Sequence, residues 1–207
     1  MKLYYAPDTC SLSPHIVLRE LAMEFELSRV NNRSKLTADG RDFRLINTKG
    51  YVAALELDDG QKLTEGPAIA DLTPQSGLAP PAGSWQRVRL QEWLNFISSE
   101  IHAGSALLFD TALQDAVLAI FREKLFKRFD YLQEVLADKT YLMGASFSVA
   151  DAYLFTVLAG VSTSLLNWIA GLRWGLTGQR SIRALLFRRP YWQRRCSKSG
   201  IVSAITR

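Results

Sequence analysis

Apolar and polar positions alternate in short runs through the first third of the chain, then recur at three- and four-residue steps, and that change of period divides the molecule. Lys2 to Tyr5 predicts a strand, broken by the turn residues Ala6-Pro7-Asp8-Thr9. Ser11, Ser13 and Pro14 suit the opening of a helix, which Ile16, Val17 and Leu21 carry to about Phe25. Phe25 to Val30 alternates as a half-buried strand does; Asn31 to Gly40 is a polar loop and Arg41 to Ile46 a short helical turn. Tyr51 to Leu57 predicts another strand, Asp58-Asp59-Gly60 a hairpin, and Gln61 to Thr64 the return strand. Pro67 then sits in the first turn of a short helix, Ala68 to Leu72. This order predicts a small α/β domain with a mixed sheet.

Beyond it the strand pattern stops. Thr73 to Ser84 is rich in Pro, Gly and Ser and reads as the connection, giving a first domain over 1–77, a linker over 78–84 and an all-helical domain over 85–207. Trp85 to about Phe109 predicts one helix, with Val88, Trp93, Phe96, Ile97 and Ile101 on its apolar face. Asp115 to Ala137 predicts a second, with Leu118, Phe121, Leu125, Leu132 and Leu136 facing inward. Ser148 and Asp151 form a capping box that starts a third. Ala152 to Leu172 has 21 residues without a charge, the length of a bilayer span. Its Thr156, Ser162, Thr163, Ser164 and Asn167 favour the centre of a helical domain instead.

Composition changes this picture little: 48% apolar and 22% charged residues are those of a soluble globular protein. Two cysteines in 207 residues give no disulfide framework, and the chain start lacks the layout of a secretion signal, so a cytoplasmic, reducing compartment is expected. Charge is unevenly placed. From Ala152 onward there is no Asp or Glu but nine Lys and Arg, which leaves 16 basic against 20 acidic residues before it. A basic tail over 173–207 suggests a nucleic-acid contact, but with few stacking aromatics a solvated face is the preferred reading, and neither nucleic acid nor membrane is expected as a partner. Cys196 among its basic neighbours has no visible partner.

Candidate chemistry begins at Cys10, in a strand-to-helix turn, where a helix N-terminus favours thiolate over thiol; an inert buried cysteine is the alternative. Glu65-Gly66 precedes another helix, where free N–H groups hold an anion, and Lys35 lies in a loop able to fold over the sheet. Asn95, Ser99 and His102 lie four and three residues apart, a polar stripe on one helix face. Each alone reads as a solvated or helix-end residue; together they would line one cleft between the domains. No metal-ligand pattern is present in the sequence.

The stretches MKLYYAPDTCSLSPHIVLRE, LELDDG with LTEGPAIA, LQEWLNFISSEIHAG and FSVADAYLFTVL resemble the glutathione S-transferases, the bacterial beta class most closely, from Met1 to about Leu158. The resemblance implies a thioredoxin-like N-terminal domain, an all-α C-terminal domain and a homodimer. It implies glutathione as co-substrate, with Cys10 and His102 at its sulfur and Lys35, Val52, Glu65, Gly66 and Asn95 holding the tripeptide. Ser99 and Glu100 belong to the same patch. The implied activity is conjugation of glutathione to small hydrophobic electrophiles in detoxification, with thiol–disulfide exchange through Cys10 as a companion. The alternative is a non-catalytic member that binds glutathione or apolar ligands in a stress or regulatory complex. Two departures sharpen the expectations. Ala53 stands where the family pattern has a cis-proline, so a trans peptide and weaker binding of glutathione are expected. The helix that stops near Leu72 is shorter than the family's, which would weaken the dimer contact.

Overall fold

The computed structural model describes residues 1–70 and 77–169. The predicted short helix end near Leu72, the basic tail and Cys196 lie outside the described residues. Four strands, β1 (Lys2–Tyr5), β2 (Glu26–Arg29), β3 (Ala54–Glu56) and β4 (Lys62–Thr64), form one mixed sheet in the order β2-β1-β3-β4. β1 runs parallel to β2, with Leu3 opposite Leu27, and antiparallel to β3, with Leu3 opposite Leu55. The parallel pair needs a crossover, which helix α1 (Leu12–Glu20) supplies.

The central strand is buried on both faces, and side-chain alternation sends its residues to two different cores. Leu3 packs with Leu18, Ala53, Leu55 and Ile69 on one side. Tyr4 packs with Val30, Phe43, Val52 and Ala54 on the other. Leu57 and Gln61 close the β3–β4 hairpin, with Gly60 taking the positive φ of 83° that its turn requires.

Several elements differ from expectation. β2 is the edge strand of the sheet, with three of its four residues exposed. α1 ends at Glu20, five residues early. Ala22 turns left-handed (φ 50°), its N–H bonding the Arg19 carbonyl while Met23 N–H bonds Leu18, a Schellman closure built without glycine. The Val52–Ala53 peptide is cis, not trans, with Ala53 buried in the sheet core.

The helical region comprises α3 (Trp85–Phe96), a π-helical segment (Ile97–His102), α4 (Ala103–Ala106), a 3-10 turn (Leu107–Phe109), α5 (Asp115–Val135) and α6 (Val149–Ile169); the short α2 (Gly66–Ala70) precedes it. The helix expected over 85–109 is therefore a succession of three helical types. Its apolar face runs through Leu90, Trp93, Ile97 and Ile101, while Val88 points outward. Ser84 caps α3, its Oγ accepting from Arg87 N–H at 3.2 Å. The stretch before it is docked: Ala79 is buried in the helical core and the Leu78 carbonyl accepts from Val149 N–H at 3.1 Å.

α6 occupies the centre. Val149, Ala150, Ala152, Tyr153, Leu154, Val157 and Leu158 are all buried, as a helix apolar on every side requires. No helix among the described residues is long and apolar enough to cross a membrane. Asp151 anchors its start, accepting from Ser148 N–H (2.9 Å), Ser148 Oγ (2.7 Å) and Leu142 N–H (2.9 Å). Ile16 and Val17 of α1 belong to this same helical core.

Candidate functional site

Cys10 lies in the β1–α1 turn, which Ser11 ties down. The Ser11 hydroxyl donates to the Ala6 carbonyl (3.0 Å) and accepts from Ala6 N–H (3.2 Å), beside Thr9 Oγ1 at 2.8 Å. Leu12 and Ser13 N–H already bond the Thr9 and Cys10 carbonyls, so these two donors of the helix start are taken. The Cys10 thiol, half-buried, donates to the Val52 carbonyl at 3.2 Å. Burial pushes the thiol up from its ordinary value; the Cys10 backbone opposes that in part, and the Glu65 carboxylate adds a smaller rise. The expected thiolate is thus overturned: desolvation outweighs the helix terminus, and the group stands as a neutral thiol. Ser13 also departs from its expected role, its wholly buried hydroxyl having no hydrogen-bond partner among the described residues.

Glu65 opens α2 with a positive φ of 72°, and its carboxylate meets Lys49 Nζ at 2.5 Å, an ammonium that also donates to Thr64 Oγ1 at 3.0 Å. Gly66 lies beside α1: a Cβ there would stand 3.8 Å from Pro14 Cδ. Lys35, at φ 59°, carries its ammonium 5.8 Å over the Tyr51 ring. An open depression of about 640 Å³ adjoins the Cys10 turn, lined by Pro7, Asp8, Arg29, Asn31, Asn32 and Ser34 among others.

The opposite wall comes from the helical region. His102 Nδ1 lies 2.8 Å from Tyr153 Oη, the rings edge to face at 5.8 Å. Burial lowers the His102 pKa, so its imidazole is neutral at pH 7. Burial pushes the Tyr153 phenol up to about 12; Cys10 and Glu65 add to the rise and Ser98 opposes it, which puts Tyr153 within electrostatic reach of both Cys10 and Glu65.

Residues 96–168 match the glutathione S-transferase C-terminal domain. The chain is 39% identical over 208 residues to glutathione S-transferase GstA of Escherichia coli O157:H7, an alignment that covers 97% of this chain and all of that one. The chain belongs to the glutathione S-transferase family. Its fold agrees. A ternary complex of BphK, a bacterial glutathione S-transferase, superposes with a TM-score of 0.79 at 43% identity, over 97% of this chain and all of that one. A bacterial beta-class glutathione S-transferase from Sphingomonas chungbukensis superposes at 0.77 with 34% identity and the same coverage. The thioredoxin-like domain followed by a helical one is therefore the fold of this transferase.

Within the transferase the expected residues separate into two groups. Cys10 and Val52 are in contact, and Cys10 and the Glu65 carboxylate both bear on the ionisation of Tyr153, which bonds His102. Gly66 follows Glu65 directly. Lys35 instead faces Tyr51. Asn95 is exposed and its carbonyl takes the Ser99 hydroxyl at 2.9 Å; Glu100 pairs with Arg128 of α5 at 2.7 Å. Asn95 and Ser99 lie one turn apart, joined by that bond, and His102 closes the π-helical segment Ile97–His102 that follows. Ser98 bears on the Tyr153 phenol, lowering its pKa. Tyr153, Lys49 and Ser98 were missed by the sequence reading. Tyr153 left one signal, a hydroxyl-bearing aromatic in a helix otherwise suited to full burial, where such a group needs a partner. Among the described residues no group of three or more His, Cys, Asp or Glu is placed to hold a metal ion.

Proposed function

We propose that this glutathione transferase joins the glutathione sulfur to small hydrophobic electrophiles in the cleft between Cys10 and His102, as part of detoxification. The observation that carries it is the Cys10 thiol bonded to the Val52 carbonyl, with Cys10 and the Glu65 carboxylate both bearing on the ionisation of the Tyr153 phenol that bonds His102. Glu65 has the charge to take the tripeptide's ammonium and Lys35 to take a carboxylate, while the Val52 backbone is suited to the cysteine amide. Gly66, Asn95, Ser99 and Glu100 complete the proposed binding set, the last three from the helix wall. Glutathione loses its thiol proton to solvent, its thiolate attacks the electrophilic carbon, and the leaving group departs with the bonding pair. A neutral Cys10 thiol that turns from the Val52 carbonyl can donate its one hydrogen bond to that thiolate.

The free, half-buried Cys10 can also exchange with oxidised glutathione: its thiol gives up its proton, the thiolate attacks one disulfide sulfur to form a mixed disulfide, and the released glutathione thiolate takes up a proton. Exposed Leu45 (82%) and Tyr51 (73%) on the first domain, with Trp85 (70%) on α3, support a homodimer. The scarcity of cysteine supports a cytoplasmic setting. The test is conjugation of a chlorinated nitrobenzene beside a disulfide-exchange assay. Cys10→Ala is expected to retain conjugation and abolish exchange. Retention on immobilised glutathione with turnover in neither assay would overturn the enzymatic reading.

A further inference from the structure

The two nitrogens of His102 are in different situations. Nδ1 is engaged by Tyr153 Oη at 2.8 Å, whereas Nε2 has no hydrogen-bond partner among the described residues. Which of the pair donates is decided by chemistry. Burial keeps the imidazole neutral and the phenol protonated, so the choice lies between O–H to N and N–H to O. A neutral imidazole nitrogen is a better acceptor than a phenol oxygen, and a phenol is a better donor than an imidazole N–H. Ser98 acts against the rise in the phenol pKa, so it does not compete with Nδ1 for the Tyr153 proton. Tyr153 is itself 3% exposed, so water does not compete for that proton. The edge-to-face rings, 85° apart, fix the imidazole plane as well.

We propose that Tyr153 is a positioning residue: its phenol holds His102 in the tautomer that carries its hydrogen on Nε2, so that His102 serves the bound sulfur as a hydrogen-bond donor and not as a base. This rests on the glutathione reading of the cleft given above. A donor stabilises thiolate and favours its accumulation before the electrophile arrives, whereas a base would need the lone pair of Nε2 free. Tyr153 reaches His102 from α6, across to the π-helical segment Ile97–His102, so the pair joins the two elements at this point.

The experiment uses the full chain with nitrogen-15-labelled histidine. In the absence of glutathione, the imidazole nitrogen shifts at neutral pH are expected to show His102 as the Nε2–H tautomer, and Tyr153→Phe is expected to give a mixture of tautomers. In the same variant kcat is expected to fall about tenfold with the glutathione KM changed less than twofold, and the ultraviolet thiolate band of bound glutathione to titrate at higher pH. His102→Gln, which can accept from Tyr153 and still donate an N–H, is expected to keep activity within about fivefold, whereas His102→Leu loses most of it. An Nδ1–H tautomer in the wild-type chain, or equal losses in His102→Gln and His102→Leu, would overturn the proposal. Absence of glutathione binding by the wild-type chain would instead sink the functional reading, and the nitrogen shifts would still decide the tautomer.

Discussion

Glu65 shows how one residue's backbone and charge are coupled. Its backbone is left-handed, and its carboxylate is held by Lys49, where the proposed ligand ammonium would otherwise bind. Both partners are largely solvent-exposed, so the pair contributes at most about 1 kcal/mol. A ligand ammonium must displace that contact or share it. Lys49→Met is therefore expected to tighten glutathione binding by about two- to fivefold, read by calorimetry at low salt. Unchanged or weaker affinity would show that Lys49 assists the ligand. None of this was legible in the sequence, because Lys49 lies 16 residues from Glu65 and only the folded loop joins them. Cys10, by contrast, was legible as a site, since the turn residues around it announce a strand-to-helix junction. Its protonation was not, because burial beneath Val52 is a property of the assembled fold.

At the level of elements, the hairpin and the start of α6 followed from local chemistry. Asp58-Asp59-Gly60 permits little else, and the Ser148–Asp151 spacing is that of a helix start. Asp151 does more than a surface cap, being 4% exposed and bonded to Ser148 and Leu142 at once. Asp151→Ala leaves two backbone donors and a hydroxyl without that acceptor, and is expected to cost about 2–4 kcal/mol in urea unfolding. A loss below 0.5 kcal/mol would mean that water replaces the carboxylate. Element ends were less legible. α1 stops where Ala22 turns left-handed, a position at which glycine is the usual signal and the sequence offers none. The π-helical segment leaves no mark either, because its composition is that of an ordinary helix and only packing selects the wider turn.

For the molecule as a whole, acid sensitivity follows from its only two histidines. His15 packs edge-on against Phe25 at 5.7 Å, near the Tyr5 ring, with Arg19 Nε donating to its Nε2 at 3.4 Å. Burial, then the Arg19 charge, bring its pKa from 6.5 to about 4. His102 is lowered in the same direction. Between pH 6.5 and about 4 the unfolded chain binds protons that the folded chain refuses, so stability is complete above pH 6.5 and falls as the pH descends. His15 is expected to contribute about 1–2 kcal/mol of that loss by pH 5, with solvent screening allowed for. Urea unfolding at pH 7 and pH 5 checks it, and His15→Gln should flatten the slope; an unaltered slope would assign the acid sensitivity elsewhere.

α1 is shared property. Leu18 is seated beneath the sheet while Ile16 and Val17, two residues and one residue earlier, are seated among the helices. Neither half can let go of that rod without exposing oily surface in the other, so a protease nick near Gly83 would release no piece able to keep its shape, and the chain melts in a single event.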